Sequence, residues 1–464
     1  MNVDHPLLPE RVDALVVGGG MAGLAAAMVA AENGARVLVV EKGPRPGGSA
    51  ALSVGMFWTV PDFDTLRRRV PLGDPDLGRA VVEDYPAAIE TIREMGVSVG
   101  ERVSGVMTVG IGHSIDVHAL LEHEVAEIER SGGRVACDTT VRHLLTDDEG
   151  AVTGAVVRGP GGQSAILADA TILATGGFQG DPGLLSTYMG PNSDRMLVRS
   201  NRGSVGDGLR LGRDAGGATS RAMSSFYGHL VPSPLSSFTE DQYMPLAQYH
   251  SNHCILVNRL GRRFCDESQG DEVSVQALLA QPEARGVLLC DERVRREYVV
   301  SEPFPNAGLL DRFERAAEAG GRLTSSDTLD GLVGQVAGWG IDAVQLRATL
   351  ESYAAAARRE PVSLDAPLPT GPRPLVEPPF YALEVQPAIT FTYGGLRTDS
   401  DGRVLDHDGV PVGGLWAAGV DAGGLSNWTY AGGLAPAFIT GRRAASSALA
   451  ALDPEARQDP ARPL

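Results

Sequence analysis

Apolar and polar positions follow three textures along this chain. Between Asp13 and Lys42 (DALVVGGGMAGLAAAMVAAENGARVLVVEK), an apolar, partly β-branched run from Ala14 to Val17 ends in Gly18, Gly19 and Gly20. A helix-period pattern follows from Met21 to Asn33, and a second apolar run covers Val37 to Val40. This predicts strand, tight turn, helix, strand. Asp76 to Met95 reads as a helix or helix pair, and Ile115 to Ser131 as a helix with Leu120, Leu121, Val125 and Ile128 on one face. The Gly112-His113-Ser114 segment before it reads as a loop that could face a substrate. Short alternating runs at Arg134 to Cys137, Val141 to Leu145, Val152 to Val157 and Ala165 to Leu167 predict a small β-meander. The apolar run Ala170 to Ala174 then ends in Thr175-Gly176-Gly177-Phe178, a strand that turns sharply.

From about Phe226 the segments become irregular and rich in Ser, Pro, His and Tyr. Two helical patterns, Asp327 to Ala337 and Ala343 to Arg358, lead to a proline-rich linker from Pro361 to Pro379. Glycine-rich α/β texture then returns, with a strand entering Ala417-Ala418-Gly419 and a helix from Leu434 to Leu449 directly after Gly432-Gly433. The fold expected is α/β, a Rossmann-like domain of parallel sheet plus β-meander with an inserted α+β domain. Its segments are 1–225 (first part), 226–375 (insertion), 376–452 (second part) and 453–464, a flexible tail.

Composition narrows the partners. With 40 basic against 58 acidic residues, the formal charge of −18 argues against nucleic acid or an anionic membrane surface. The first twelve residues hold no basic stretch followed by an apolar one, so no secretory signal is expected. No apolar run approaches the ~18 residues of a membrane span. Cys137, Cys254, Cys265 and Cys290 form no CxxC or CxxCH, which points away from zinc ribbons, iron–sulfur ligation and covalent haem. No metal site is expected, and a cytoplasmic setting with reduced thiols is.

The glycine turn carries the first chemistry. Gly18 permits the turn, Gly20 lets the backbone approach a pyrophosphate, and Gly23 lets the helix pack on the strand, with the phosphates on the positive end of the helix. Glu41 closes the second strand, where a carboxylate can accept from the hydroxyls of an adenosine ribose. A glycine-rich turn alone often means only an ordinary α/β domain, but two strands and a placed acid point to dinucleotide binding. Gly47-Gly48-Ser49, directly after Glu41, would let backbone amides pass beneath a flavin and its phosphates. A helix starting at Gly432-Gly433 aims amide N–H groups at whatever lies before it.

These segments together resemble the flavoprotein family of fumarate reductase, succinate dehydrogenase flavoprotein subunits, 3-ketosteroid dehydrogenases and tricarballylate dehydrogenase. The motifs that carry the resemblance are the N-terminal fingerprint with Glu41, Gly47-Gly48-Ser49, Ala174-Thr175-Gly176-Gly177-Phe178 and Gly206-Asp207-Gly208. Further along come Val257-Asn258 with Gly261-Arg262-Arg263-Phe264, Tyr393-Gly394-Gly395-Leu396 and Ala417-Ala418-Gly419. The resemblance implies noncovalent FAD, an inserted capping domain, and hydride transfer between a substrate carbon and flavin N5. The implied FAD contacts are Gly18, Gly20, Met21, Ala22, Gly23, Glu41, Lys42, Gly47, Gly48, Ser49, Ala174, Thr175, Gly176, Asp207, Gly419, Asp421 and Ala435. Val420 stands where the family has Glu or Asn, and Asp421 is the substitute for the ribityl contact.

The departures select the branch. Where fumarate reductases carry His-Thr-x-Gly-Gly this chain reads Phe391-Thr392-Tyr393-Gly394-Gly395, and the family's arginine acid is replaced near Asp271. Ile389 to Tyr393 is similar to tricarballylate dehydrogenase, and Thr429-Tyr430 before a small-residue turn is similar to the ketosteroid dehydrogenases, whose matching tyrosine and a nearby amide polarise the substrate carbonyl. Tyr430, with an amide around Gly432 or Gly433, inherits that role, and Tyr393, His250, His253 and Asp271 are the candidate bases. The expected activity is α,β-desaturation of a neutral or singly charged carbonyl compound, with electrons leaving to a quinone, an electron-transfer protein or oxygen. The alternatives are an ene-reductase, a tricarballylate-type dehydrogenase, and a flavin-binding redox or assembly subunit with a degraded active site.

Overall fold

The computed structural model describes residues 8–107, 109–237, 239–302 and 308–452. The 453–464 segment expected as a flexible tail lies outside them. The chain folds as two units: Met1–Leu184, Asn201–Ser225 and Phe391–Leu464 form the first, Leu185–Ser200 and Phe226–Thr390 the second.

The first unit is built on an eight-stranded sheet. Its parallel part runs Pro411–Ala417, Gly162–Leu173, Arg11–Val17, Val37–Val40 and Arg134–Ala136. Buried parallel strands need apolar residues on both faces, and Val12 to Val17 and Val37 to Val40 are buried throughout. The run Arg134–Ala136, expected in the meander, instead pairs in parallel with Val37–Val40. The meander consists of Thr140–Thr146, Val152–Gly159 and Gly162–Leu173. The two short runs expected around Ala165 and Ala170 are one strand whose first half pairs antiparallel with Val152–Gly159 and whose second half pairs in parallel with Arg11–Val17. Asp169 does not interrupt it because its carboxylate pairs with Arg11 on the neighbouring strand.

The first helix, Met21–Glu32, is apolar all round and buried from Met21 to Ala31. A helix of that kind must be covered on every side. It packs against the closing helix, Leu434–Ala451, and the helix Val117–Arg130. The close approach to the closing helix is possible because Gly441 has no side chain: a Cβ there would stand 2.2 Å from the carbonyl oxygen of Ala22. Asp76 to Met95 forms one helix, Pro75–Glu94, which contains Pro86. Gly112-His113-Ser114 is part of a strand, Gly110–Ser114, paired with Met56–Thr59. The His113 ring is buried with Nδ1 2.9 Å from the Tyr85 hydroxyl, so a packing role replaces the expected substrate-facing loop.

The second unit has a six-stranded sheet centred on Phe380–Thr392, flanked by Leu197–Val198, Gly286–Asp291 with Ile255–Asn258 beyond it, Phe226–Pro232 and Leu323–Ser326. Helices Leu329–Ala337 and Ala343–Ala357 close its core, where Leu332, Val336, Leu346 and Tyr353 meet Val257, Val287 and Phe380. The sequence reading returns to the first domain at 376. The structure keeps most of this long strand in the second unit because its residues from Phe380 pair there, and it adds Leu185–Ser200 to that unit through the pairing of Leu197 with Ala388. Among the described residues no helix is long and apolar enough to cross a membrane, and no cluster of His, Cys, Asp or Glu could hold a metal.

The Gly441 contact yields a stability prediction. Gly441→Val destabilises the fold by about 1–3 kcal/mol through overpacking, read as a lowered urea midpoint; an unchanged midpoint contradicts the close helix approach.

Candidate functional site

The glycine turn is shaped by two kinds of constraint. At Gly18 (φ +108°) a Cβ would stand 2.3 Å from the carbonyl oxygen of Ala174, and at Gly23 one would stand 1.9 Å from that of Gly18. Both glycines are demanded by the chain itself. At Gly20 a Cβ would meet nothing within 4 Å. Gly20 precedes a helix start that no side chain caps, so Met21 and Ala22 begin the helix beside open space. Space beside an uncapped helix start fits a pyrophosphate.

The remaining residues of this cradle come from three stretches of the chain. Glu41 clamps the turn: its carboxylate accepts from the backbone of Gly19 at 2.8 Å and of Gly43 at 2.7 Å. A carboxylate has further lone pairs, which remain for ribose hydroxyls. The Gly47 amide donates to the Gly19 carbonyl at 2.7 Å, Gly48 follows in the left-handed region, and Ser49 Oγ accepts from the Asn201 amide. Lys42 and Asp207 pair at 2.5 Å. Ala174 continues the strand by donating to Val17, and Gly176 (φ +84°) packs where a Cβ would crowd Ser204. Gly419 donates to Thr440 Oγ1 at 2.9 Å, and Ala435 lies buried in the first turn of the closing helix.

Asp421 is buried among these groups. Its carboxylate accepts from the Thr175 amide at 2.5 Å and from the Thr175 hydroxyl at 3.3 Å, and that hydroxyl accepts from the Gly208 amide at 2.8 Å. Burial pushes the Asp421 carboxyl up to about 7, against the Thr175 bonds, which favour ionisation.

A second group of residues forms an aromatic frame in the same unit. The Tyr430 ring stands edge-on to Trp58 at 5.1 Å and to Phe391 at 5.8 Å, and lies nearly parallel to Tyr393 at 6.5 Å. A Cβ on Gly433 would lie 3.0 Å from the Tyr430 hydroxyl, so only a glycine leaves that oxygen its place at the uncapped start of the closing helix. Tyr430, Tyr393 and Gly433 are thus brought together.

His250, His253 and Asp271 lie in the second unit. Burial depresses His253 to about 4, and its ring stacks on Tyr298. His250 is buried edge-on to Phe313 with neither ring nitrogen partnered, and burial depresses it to about 3, which keeps the ring neutral. Asp271 Oδ2 lies 2.6 Å from His229 Nδ1, and Oδ1 accepts from the Leu230 amide at 3.0 Å. Burial raises Asp271 well above the carboxylate range and lowers His229. His229 escapes a reading of the sequence. The signal is a single histidine in the buried strand FYGHLVP, but its partner stands 42 positions away. Trp58 and Phe391 also escape it, because an aromatic residue in an apolar strand reads as core.

Two predictions follow from the cradle. Gly20→Val leaves stability within about 0.5 kcal/mol but weakens FAD binding at least about tenfold in a fluorescence titration of the flavin-free protein; unchanged affinity contradicts the pyrophosphate placement. The second concerns pH. The folded chain holds the Asp421 proton more tightly than the unfolded chain, so this group lowers stability as pH rises from about 4 to about 7, with the full cost above that. In the flavin-free protein, the stability of Asp421→Asn relative to the parent rises across that window and is flat on either side; parallel curves contradict it.

The family model described as FAD binding domain matches residues 13–434. The NADH:fumarate oxidoreductase of Klebsiella pneumoniae is 27% identical over 93% of this chain, which spans 46% of that protein's length. The 3-oxosteroid 1-dehydrogenase of Mycobacterium tuberculosis is 25% identical, covering 94% of this chain and 98% of that protein. Among solved structures, 3-ketosteroid Δ1-dehydrogenase from Sterolibacterium denitrificans shares the fold with a TM-score of 0.74 at 21% identity, covering 96% of this chain and 100% of that one. The chain belongs to the FAD-binding-domain family of FAD-dependent oxidoreductases acting on CH–CH groups, the family of the fumarate reductases and 3-oxosteroid 1-dehydrogenases.

Proposed function

We propose that the protein desaturates a carbon–carbon bond next to the carbonyl of a small-molecule substrate, with Tyr430 polarising that carbonyl. The observation that carries this reading is the Tyr430 hydroxyl held against Gly433 at an uncapped helix start, inside a frame of Trp58, Phe391 and Tyr393. A neutral phenol, with an ordinary pKa near ~10, donates a hydrogen bond throughout the working range. The Gly433 amide adds a second donor that the helix start reinforces. Two donors on one carbonyl oxygen stabilise the enolate that forms when the α proton leaves, and the frame keeps water from competing for that oxygen. When bound, FAD supplies the acceptor for the β hydrogen, taken as hydride at N5.

Among the candidate bases, Tyr393 lies in the same unit as Tyr430 and stands beside it, and it takes the α proton. FAD is held noncovalently: the segment from Gly48 to Gly55 holds no histidine for attachment. A quinone, an electron-transfer protein or oxygen takes the electrons, and the four free thiols support a reducing, cytoplasmic setting.

A second reading, ene-reduction by the same residues in reverse, is favoured by the similarity to a fumarate-reducing relative. Both are tested by anaerobic absorbance titration of the flavoprotein with a 3-ketosteroid, a cyclohexanone carboxylate, tricarballylate and succinate. Desaturation predicts bleaching by a ketone, slowed by ~10²–10³ in Tyr430→Phe at unchanged FAD content. Bleaching that survives the substitution overturns the role of Tyr430. Flavin that no ketone bleaches, but that an enone reoxidises after dithionite, reverses the direction.

A further inference from the structure

Two of the four cysteines face each other inside the second unit. The strand Ile255–Asn258 runs antiparallel to Gly286–Asp291, with Ile255 opposite Leu289, Leu256 opposite Leu288 and Val257 opposite Val287. One further step of that register sets Cys254 opposite Cys290. The backbone at Cys254 is still extended (φ −105°, ψ 169°), so the register reaches it.

Antiparallel pairs alternate between hydrogen-bonded ones, with Cα atoms about 5.5 Å apart, and non-hydrogen-bonded ones, about 4.5 Å apart. The amide donors show which kind this is. Cys254 donates to the Ser251 carbonyl, Leu256 to Glu267 Oε1 at 3.0 Å and Asn258 to the Arg262 carbonyl, so all three point away from Gly286–Asp291. On the far side of that strand the Glu384 amide donates to the Arg322 carbonyl and not toward Val287, its partner in the ladder. The alternation therefore turns the amides of Leu288 and Cys290 toward Phe380–Thr392. Cys254 and Cys290 form a non-hydrogen-bonded pair, and its Cα separation of about 4.5 Å lies within the roughly 4.4–6.8 Å that a disulfide spans.

The side chains meet as the register requires. The Cys290 thiol lies within hydrogen-bonding reach of Cys254, and the Cys254 thiol donates to the His250 carbonyl at 3.7 Å. Cys254 is 3% and Cys290 1% exposed. Cys265, the other buried cysteine, donates instead to Ser274 Oγ at 3.9 Å.

We propose that Cys254 and Cys290 are a reversible redox modification site, at which hydrogen peroxide closes a cross-strand disulfide. The Cys254 thiolate attacks one peroxide oxygen. The O–O bond breaks, giving a sulfenic acid and a hydroxide that takes the thiol proton to become water. The Cys290 sulfur then displaces the sulfenic oxygen as a second water, and the S–S bond forms. Two thiols are oxidised and one peroxide is reduced to two waters. Cys254 reacts first because it stands between the 3₁₀ turn Tyr249–His253 and the edge strand of the sheet, where local opening exposes it. Cys290 lies on a strand flanked on both sides, and burial holds its thiol protonated. The closed bond ties the turn to Gly286–Asp291 across a loop that holds the helix Asp271–Leu279, which stabilises the second unit.

The test treats the FAD-loaded protein with hydrogen peroxide, unfolds it, alkylates the remaining thiols with N-ethylmaleimide and maps the peptides by mass without reduction. The expected result is two alkylated cysteines, Cys137 and Cys265, in place of four, with a Cys254–Cys290 cross-linked peptide lighter by two hydrogens. Dithiothreitol restores all four. The oxidised protein melts at least about 5 °C above the reduced one, and Cys290→Ala abolishes that rise. If the variant fails to fold, the rise and its reversal by dithiothreitol in the parent protein read the same bond. Four alkylated cysteines after peroxide, a sulfinic acid at Cys254 without the cross-link, or a disulfide through Cys137 or Cys265 overturns the proposal. The cross-link at an unchanged melting temperature overturns its stabilising role.

Discussion

Backbone meets backbone at three places in the first unit, and the rest of that unit depends on those contacts. Gly18 lies under the Ala174 carbonyl, Gly23 under that of Gly18, and Gly441 under that of Ala22. Together they join the first strand, the strand Gly162–Leu173, the first helix and the closing helix at distances no side chain allows. Residues from the beginning, middle and end of the chain therefore reach one cradle. Where the chain itself does not need the space, at Gly20, the space is open, and that difference separates glycines the fold requires from one it does not.

Polar burial follows the same logic in both units. Asp421 and Thr175 fasten the strand end Ala174 to the 3₁₀ turn Gly419–Asp421, at the expense of a carboxyl held near the neutral range. The second unit buries Arg263 with Glu267 as a pair at 2.6 Å, and Asp271 against His229 at 2.6 Å. Complete pairs fix structure.

Much of the first unit was legible in the sequence because its signals are local. The glycine turn, the apolar helix and the strand ending at Glu41 lie within thirty residues, and each glycine's role follows from a backbone requirement. Register and pairing were not legible. Arg134–Ala136 looked like meander because its partner, Val37–Val40, is distant in sequence. Phe380–Thr392 looked like a return to the first domain because nothing in its composition names Gly286–Asp291 as its neighbour. The candidate site divides in the same way. Tyr430 and Gly433 stand three positions apart and were readable together, whereas the pairing of His229 with Asp271 exists only once the chain is folded.

On the proposed desaturation, the flavin takes hydride from the carbon β to a carbonyl. The most direct measurement is the anaerobic rate of flavin reduction by the ketone that bleaches it, with that ketone deuterated at the β carbon, alongside mass analysis of the product. Desaturation gives reduction slowed by the deuterium and a product lighter by the two lost hydrogens, one of them deuterium. A rate indifferent to β-deuterium, with the ketone recovered at its original mass, would contradict it.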